Sequence, residues 1–169
     1  TTVLGQKISM PVMVAPAGSH MLAHPEGELA TARGAGMSDT LMMLSTSSHY
    51  PMEEVVEAGT GPKWFQLYHR GYELTEMLVH RAEEAGFLAI VLTVDTPVPS
   101  PKERDVHNHY QNPFPQANFL AASEQMTAMS GADEAPNWRP APVPSLTWKE
   151  LEWLKGLTSF PFVLKGIHA

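Results

Sequence analysis

Residues 92 to 97 read Leu-Thr-Val-Asp-Thr-Pro. They end an apolar run, Ala89 to Leu92 with Val94, in a cluster of threonine, aspartate and threonine that a proline then breaks. A strand covered on both faces is almost continuously apolar, so its polar side chains gather where it emerges at its carboxyl end. Three further segments share the design. Pro11 to Pro16 gives way to Ala17-Gly18-Ser19, Leu41 to Leu44 gives way to Ser45-Thr46-Ser47-Ser48, and Trp64-Phe65 gives way to Gln66-Leu67-Tyr68. Several strands thus deliver polar residues to one rim, which restricts the chain to α/β architectures with a parallel sheet.

Helical stretches alternate with these runs, as crossover connections require. The spacing predicts a first strand over about 11–15, then a helix that starts near Pro25-Glu26-Gly27-Glu28 and stops at Gly34-Ala35-Gly36. A second strand follows at 41–44, a short helix over 52–58 closed by Gly59, and a third strand over 63–68. Leu74, Met77, Leu78, Arg81, Ala82 and Ala85 recur at helical steps until Gly86, and 87–94 is a fourth strand. From Pro97 to Ser145 prolines are dense and no periodicity is sustained, which predicts a long loop over about 97–145, either a functional lid or a disordered segment. Ser145 to Glu150 resembles a capping signature for a helix reaching Leu154, and 161–166 is a fifth strand. The fold class is therefore α/β, an incomplete (β/α)8 TIM barrel with about five βα strands. All 169 residues form one partial barrel domain, whereas a complete barrel needs about 250.

Eleven Lys and Arg stand against eighteen Asp and Glu, a net charge of −7 with no basic cluster. Nucleic acid is excluded as a partner on that ground, since phosphate binding needs concentrated positive charge. No apolar run approaches the length of a membrane helix, and the first residues lack the pattern of a secretory signal. The absence of cysteine removes thiolate nucleophiles and Cys-based metal sites. A cytoplasmic location is expected.

Lys165 ends an apolar strand, where a cation is costly unless it meets an anion, titrates or snorkels. Gln66 and Tyr68 alternate with Phe65 and Leu67 and share one face of their strand. Ser45 to Ser48 offer short donors for a planar ligand, or fill a turn. His24 before Pro25 is a base or a structural loop histidine, and His107 with His109 lacks a third metal ligand, so no metal site is expected. No Gly-rich phosphate fingerprint and no nucleophile elbow occur.

Taken together, Ala23-His24-Pro25-Glu26-Gly27-Glu28, Trp64 to Tyr68, Leu92 to Pro97 and Val163-Leu164-Lys165-Gly166 resemble the FMN-dependent α-hydroxy acid oxidases and dehydrogenases, the glycolate and lactate oxidase family. The resemblance runs over nearly the whole chain. It implies FMN as cofactor, a small 2-hydroxy acid as substrate and a homotetramer. It implies that Pro16, Ala17 and Gly18, with Ser45, Gln66, Thr93 and Lys165, contact the flavin. Lys165 would stabilise the anionic reduced flavin. Tyr68 would bind the substrate carboxylate or hydroxyl, and Asp95 would join the catalytic acidic network, so Tyr68, Asp95 and Lys165 are the catalytic candidates.

Lys102 stands where the family carries a carboxylate-gripping arginine; lysine keeps the charge and loses the fork, and Arg104 is a nearby substitute. The resemblance also places the family's catalytic histidine and its companion arginine after strand six, and the flavin phosphate site on strands seven and eight. Those strands lie outside these residues. Two other readings follow: a non-catalytic half-barrel that needs a partner chain, and a barrel lyase in which Lys165 forms a Schiff base.

Overall fold

The computed structural model describes residues 1–96, 102–130 and 146–167, with side chains described for all of these except 123 and 125–130. Its centre is a parallel sheet in the order β3 (Met42–Ser45), β4 (Lys63–Leu67), β5 (Ile90–Thr93) and β6 (Phe162–Lys165). Helices α1 (Gly27–Met37), α2 (Met52–Ala58), α3 (Tyr72–Ala85), α4 (Glu103–His107), α5 (Ala117–Ser130) and α6 (Trp148–Leu157) make the connections. A preceding antiparallel hairpin, β1 (Thr2–Val3) with β2 (Gln6–Lys7), turns through Leu4 and Gly5, both at positive φ. The sequence reading did not foresee this hairpin.

Alternation along the strands separates two cores, as a period of two demands. Met42, Leu44, Phe65, Leu67, Ile90 and Leu92 face the helices and pack with Val55, Leu74, Leu78, Ala82 and Leu154. On the opposite face lie Trp64, Ala89 and Val91, with Met43 and Val163 beside them. Ile8 and Val3 of the hairpin segment pack into this second cluster, and Trp64 Nε1 donates to Gln6 Oε1 at 2.7 Å. The hairpin therefore covers one end of the inner face. The other end is left to the carboxyl ends of the strands.

Several expectations need correction. The first strand, expected over 11–15, is reduced to a single parallel bridge from Val14 to Met42, so the sheet has four strands rather than five. Proline at 11 and 16 limits ladder donors on both sides of that bridge. The helix expected to stop at Gly34-Ala35-Gly36 runs through them to Met37. Ala35 and Gly36 are buried and serve packing instead. A β-carbon on Gly36 would lie 2.4 Å from the Thr60 carbonyl oxygen, and one on Gly59 would lie 2.3 Å from that of Ala32. Close approach of α1 to the loop after α2 selects glycine here.

The supposed loop over 97–145 contains α4 and α5, whose weak amphipathic pattern hides them from a periodicity argument. Residues 97–101 and 131–145 of that expected lid lie outside the described residues. The capping signature is real but begins two residues later than expected. Thr147 and Glu150 form the reciprocal box, with the Thr147 amide donating to Glu150 Oε2 at 2.8 Å and the Lys149 amide to Thr147 Oγ1 at 3.2 Å. The α3 helix ends as expected at Gly86, which is left-handed.

Candidate functional site

Register sets the geometry of the rim. Ser45 pairs with Gln66 and Thr93 pairs with Lys165, while Gln66 stands opposite Val91, so the two pairs are staggered by two residues and the Gln66 side chain spans the step to Thr93. Ser45, Gln66 and Thr93 are each at most 4% exposed. Buried polar groups require partners, and Gln66 supplies them for both neighbours. Its Oε1 accepts from Ser45 Oγ at 3.1 Å, and its Nε2 donates to Thr93 Oγ1 at 2.9 Å. Ser45 Oγ in turn accepts from the Ser47 amide at 3.1 Å. The Thr46 hydroxyl donates to the Gln66 carbonyl and accepts from the Tyr68 amide. One amide side chain thus bolts three strand ends together.

The loop after the Val14 bridge joins this rim. The Ser19 amide donates to the Ser47 carbonyl at 3.2 Å, and a β-carbon on Gly18 would lie 3.0 Å from that of Ser47. Pro16, Ala17 and Gly18 are thereby held beside Ser45 to Ser48.

The far side of the rim is built differently. Lys165 is exposed, and among the described residues its ammonium has no hydrogen-bond or ion-pair partner. Asp95 packs against Gly166, where a β-carbon would lie 2.4 Å from Asp95 Cγ; Gly166 has φ 104°. Tyr68 is half-buried, with the Arg70 guanidinium 5.6 Å from its ring centre. Lys102 and Arg104 are both exposed, at the N-cap and in the first turn of the short α4. Among the described residues neither makes a hydrogen bond or ion pair with Tyr68 or Lys165. His24 is exposed and accepts from the Glu26 amide at 3.2 Å, the structural role rather than a base.

Sequence reasoning missed the bracing behind the rim. Glu28 is fully buried, and its Oε1 accepts from the His20 and His49 amides at 3.1 and 3.2 Å. Asn118 on α5 accepts from the Met52 amide and donates to Ser48 Oγ at 2.9 Å. Glu28 sat within a quoted motif, whereas nothing around Asn118 marks it in the sequence. His69, 1% exposed, places Nδ1 at 3.0 Å from Thr75 Oγ1, while Nε2 has no partner. Burial pulls its pKa down, against a smaller upward pull from Glu150.

Parallel strands with helical crossovers and a polar rim at their carboxyl ends define the class: part of a (β/α)8-type barrel, with four strands in the sheet among the described residues. The model of the FMN-dependent dehydrogenase family matches residues 1–169, and the chain belongs to that family. It is 41% identical to a peroxisomal (S)-2-hydroxy-acid oxidase of Oryza sativa subsp. japonica, over 99% of this chain and 46% of the relative. Glycolate oxidase 2 of Oryza sativa subsp. indica is 43% identical over 98% of the chain and 46% of its own length. Among solved structures, a mandelate oxidase variant bound to (S)-mandelic acid superposes with TM-score 0.80 at 37% identity, over 100% of this chain and 45% of that one. A chimeric (S)-mandelate dehydrogenase reaches 0.83 at 30% identity, over 98% and 48%. The chain spans about half the length of the relatives it matches.

Proposed function

We propose that these residues are the amino-terminal part of a flavoenzyme that oxidises a small 2-hydroxy acid to a 2-oxo acid. The supporting observation is the donor pattern of the rim. Gln66 donates to Thr93 Oγ1, Thr93 is paired in register with Lys165, and among the described residues neither the threonine proton nor the Lys165 ammonium has an acceptor. Two adjacent donors without acceptors fit the acceptor-rich edge of an isoalloxazine. Pro16, Ala17 and Gly18 would lie along the ring with Ser45 and Gln66. Tyr68 would hold the substrate oxygen and Asp95 would belong to the acidic network. When bound, FMN supplies the two-electron acceptor. These residues bind and orient the ring and bring fixed positive charge beside it, while the base for the α-proton falls, by the family resemblance, beyond strand six. A homotetramer belongs to the same proposal. The cytoplasmic location expected from composition gains nothing from the rice relative, which is described as peroxisomal.

The full-length protein should carry visible flavin absorption that glycolate, lactate or mandelate bleaches in the absence of oxygen. A colourless protein that borohydride inactivates only with substrate present would replace this reading by the Schiff-base lyase. A protein no longer than these residues that holds no flavin would favour the half-barrel in need of a partner. Among the described residues β6 has no strand on its far side, and a free sheet edge invites pairing.

A further inference from the structure

We propose that Arg70 is a substrate-binding residue: its guanidinium, set against the Tyr68 ring, takes the carboxylate of the 2-hydroxy acid. The inference rests on the flavoenzyme reading above and names how that site holds its substrate.

Arg70 lies just past the end of β4, on the rim beside Tyr68. Its backbone is pinned. The Arg70 amide donates to Thr75 Oγ1 at 3.2 Å, and the same hydroxyl lies 3.0 Å from the buried ring of His69. The side chain, in contrast, is half-buried, and its only described contact is the tyrosine face. The ion pairs among the described residues involve Arg33, His80 and Arg81, and none involves Arg70.

A half-withdrawn cation without a counter-ion is unfavourable. Burial pulls the pKa of Arg70 below its ordinary value, with Tyr68 opposing. An arginine cannot escape this strain by losing its proton, so the charge stays and an anion would relieve it. The face of the phenol ring offsets part of that cost. A planar guanidinium over the face of a tyrosine suits the neighbouring oxygens of a 2-hydroxy acid, carboxylate to guanidinium and hydroxyl to phenol. Lys102 offers only a mobile point charge at an exposed helix start. Arg70 would therefore supply the bidentate grip that lysine at 102 cannot.

The test uses the full-length, flavin-loaded protein and oxalate, a planar dicarboxylate that cannot be oxidised as a hydroxy acid. Binding is read as the perturbation of the visible flavin spectrum. Arg70→Met should weaken oxalate roughly 10- to 100-fold and raise KM more than it lowers kcat, with the spectrum of the ligand-free protein unchanged. Arg70→Lys should fall between the two. Parent-like oxalate affinity and KM in Arg70→Met would overturn the proposal, as would a larger loss in Lys102→Met than in Arg70→Met. Should Arg70→Met fail to load flavin, Arg70→Lys decides: parent-like oxalate affinity there rejects the fork. A parent protein without flavin would instead reject the flavoenzyme reading itself.

Discussion

The two sides of the rim are made by opposite rules. On the β3–β4–β5 side, Ser45, Gln66 and Thr93 are buried and satisfy one another through a single amide. On the β6 side and in the loop after β4, Lys165 is exposed and Arg70 half-buried, and neither cation has an acidic partner among the described residues. The first arrangement is finished by folding alone. The second leaves charge unmatched on a chain whose net charge is −7, so acidic groups are abundant but placed elsewhere. Free charge kept at one spot against that excess is best explained by a ligand that brings its own negative charge.

The open side is nevertheless built tightly, and the largest expected effect lies there. Gly166→Ala forces a β-carbon against Asp95 Cβ at 2.5 Å and Cγ at 2.4 Å in a left-handed backbone. The loss should be about 2–4 kcal/mol, from steric overlap plus positive φ. Adding Asp95→Gly, which removes the β-carbon as well as the carboxylate, should recover the steric part only, so chemical denaturation of the single and double variants measures how much of the cost is contact. Full recovery in the double variant would show that the backbone is unstrained. On the closed side, Gln66→Leu removes the acceptor for Ser45 and the donor to Thr93. The expected destabilisation is about 1–3 kcal/mol, the range for orphaning buried hydroxyls. A change under about 0.5 kcal/mol would mean that the network contributes nothing to folding.

The closed side was legible because its residue types, Ser, Gln and Thr following apolar runs, recur at the same place in several segments and read as strand ends. What the sequence concealed depended on distance in the chain. Asn118 meets Ser48 and Met52 from a helix that carries no clear apolar stripe, so neither the helix nor the contact could be read. Gly34-Ala35-Gly36 looked like a helix stop because local propensity says so, yet the helix continues and Gly36 packs against Thr60. Lys102 drew attention through a family position. Arg70, two residues after Tyr68, carried no signal until its guanidinium was seen against the ring.

Acid should separate the α3–α6 junction from the rim. There Tyr72 Oη donates to Glu150 Oε1 at 3.1 Å, and Tyr72 stacks edge-on against Trp153 with ring centres 4.7 Å apart. The Thr147 hydroxyl, its amide and then Tyr72 hold Glu150 down to about 2 from an ordinary 4.5. A carboxylate lowered by folding stabilises fully above its unfolded value, so this contribution is lost as pH falls from about 4.5 toward 2. His69 acts in an earlier window. Its folded pKa lies below 6.5 because burial disfavours the charged ring, so the unfolded chain binds the proton first and stability declines as pH drops through 6.5. His69→Gln should flatten the upper part of a pH–stability curve and Thr147→Ala the lower part. Gln66→Leu should shift the whole curve without changing its shape. An unchanged slope near pH 6 in His69→Gln would assign the upper window to another histidine.

The smallest effect on folding is expected at Lys165, and the contrast with Gln66 is what it tests. Lys165→Met removes an exposed charge with no described partner, so stability without flavin should change by less than about 0.5 kcal/mol. Flavin affinity should fall clearly in the same variant, because the charge withheld from the protein's own acids is then missing where the ring's acceptor edge would rest. The Gln66 variant should show the reverse order, with the loss in unfolding free energy coming first and any loss of flavin following from it. Equal stability losses at the two positions would mean that Lys165 is tied into the fold, and the division of the rim into a finished side and a waiting side would fail.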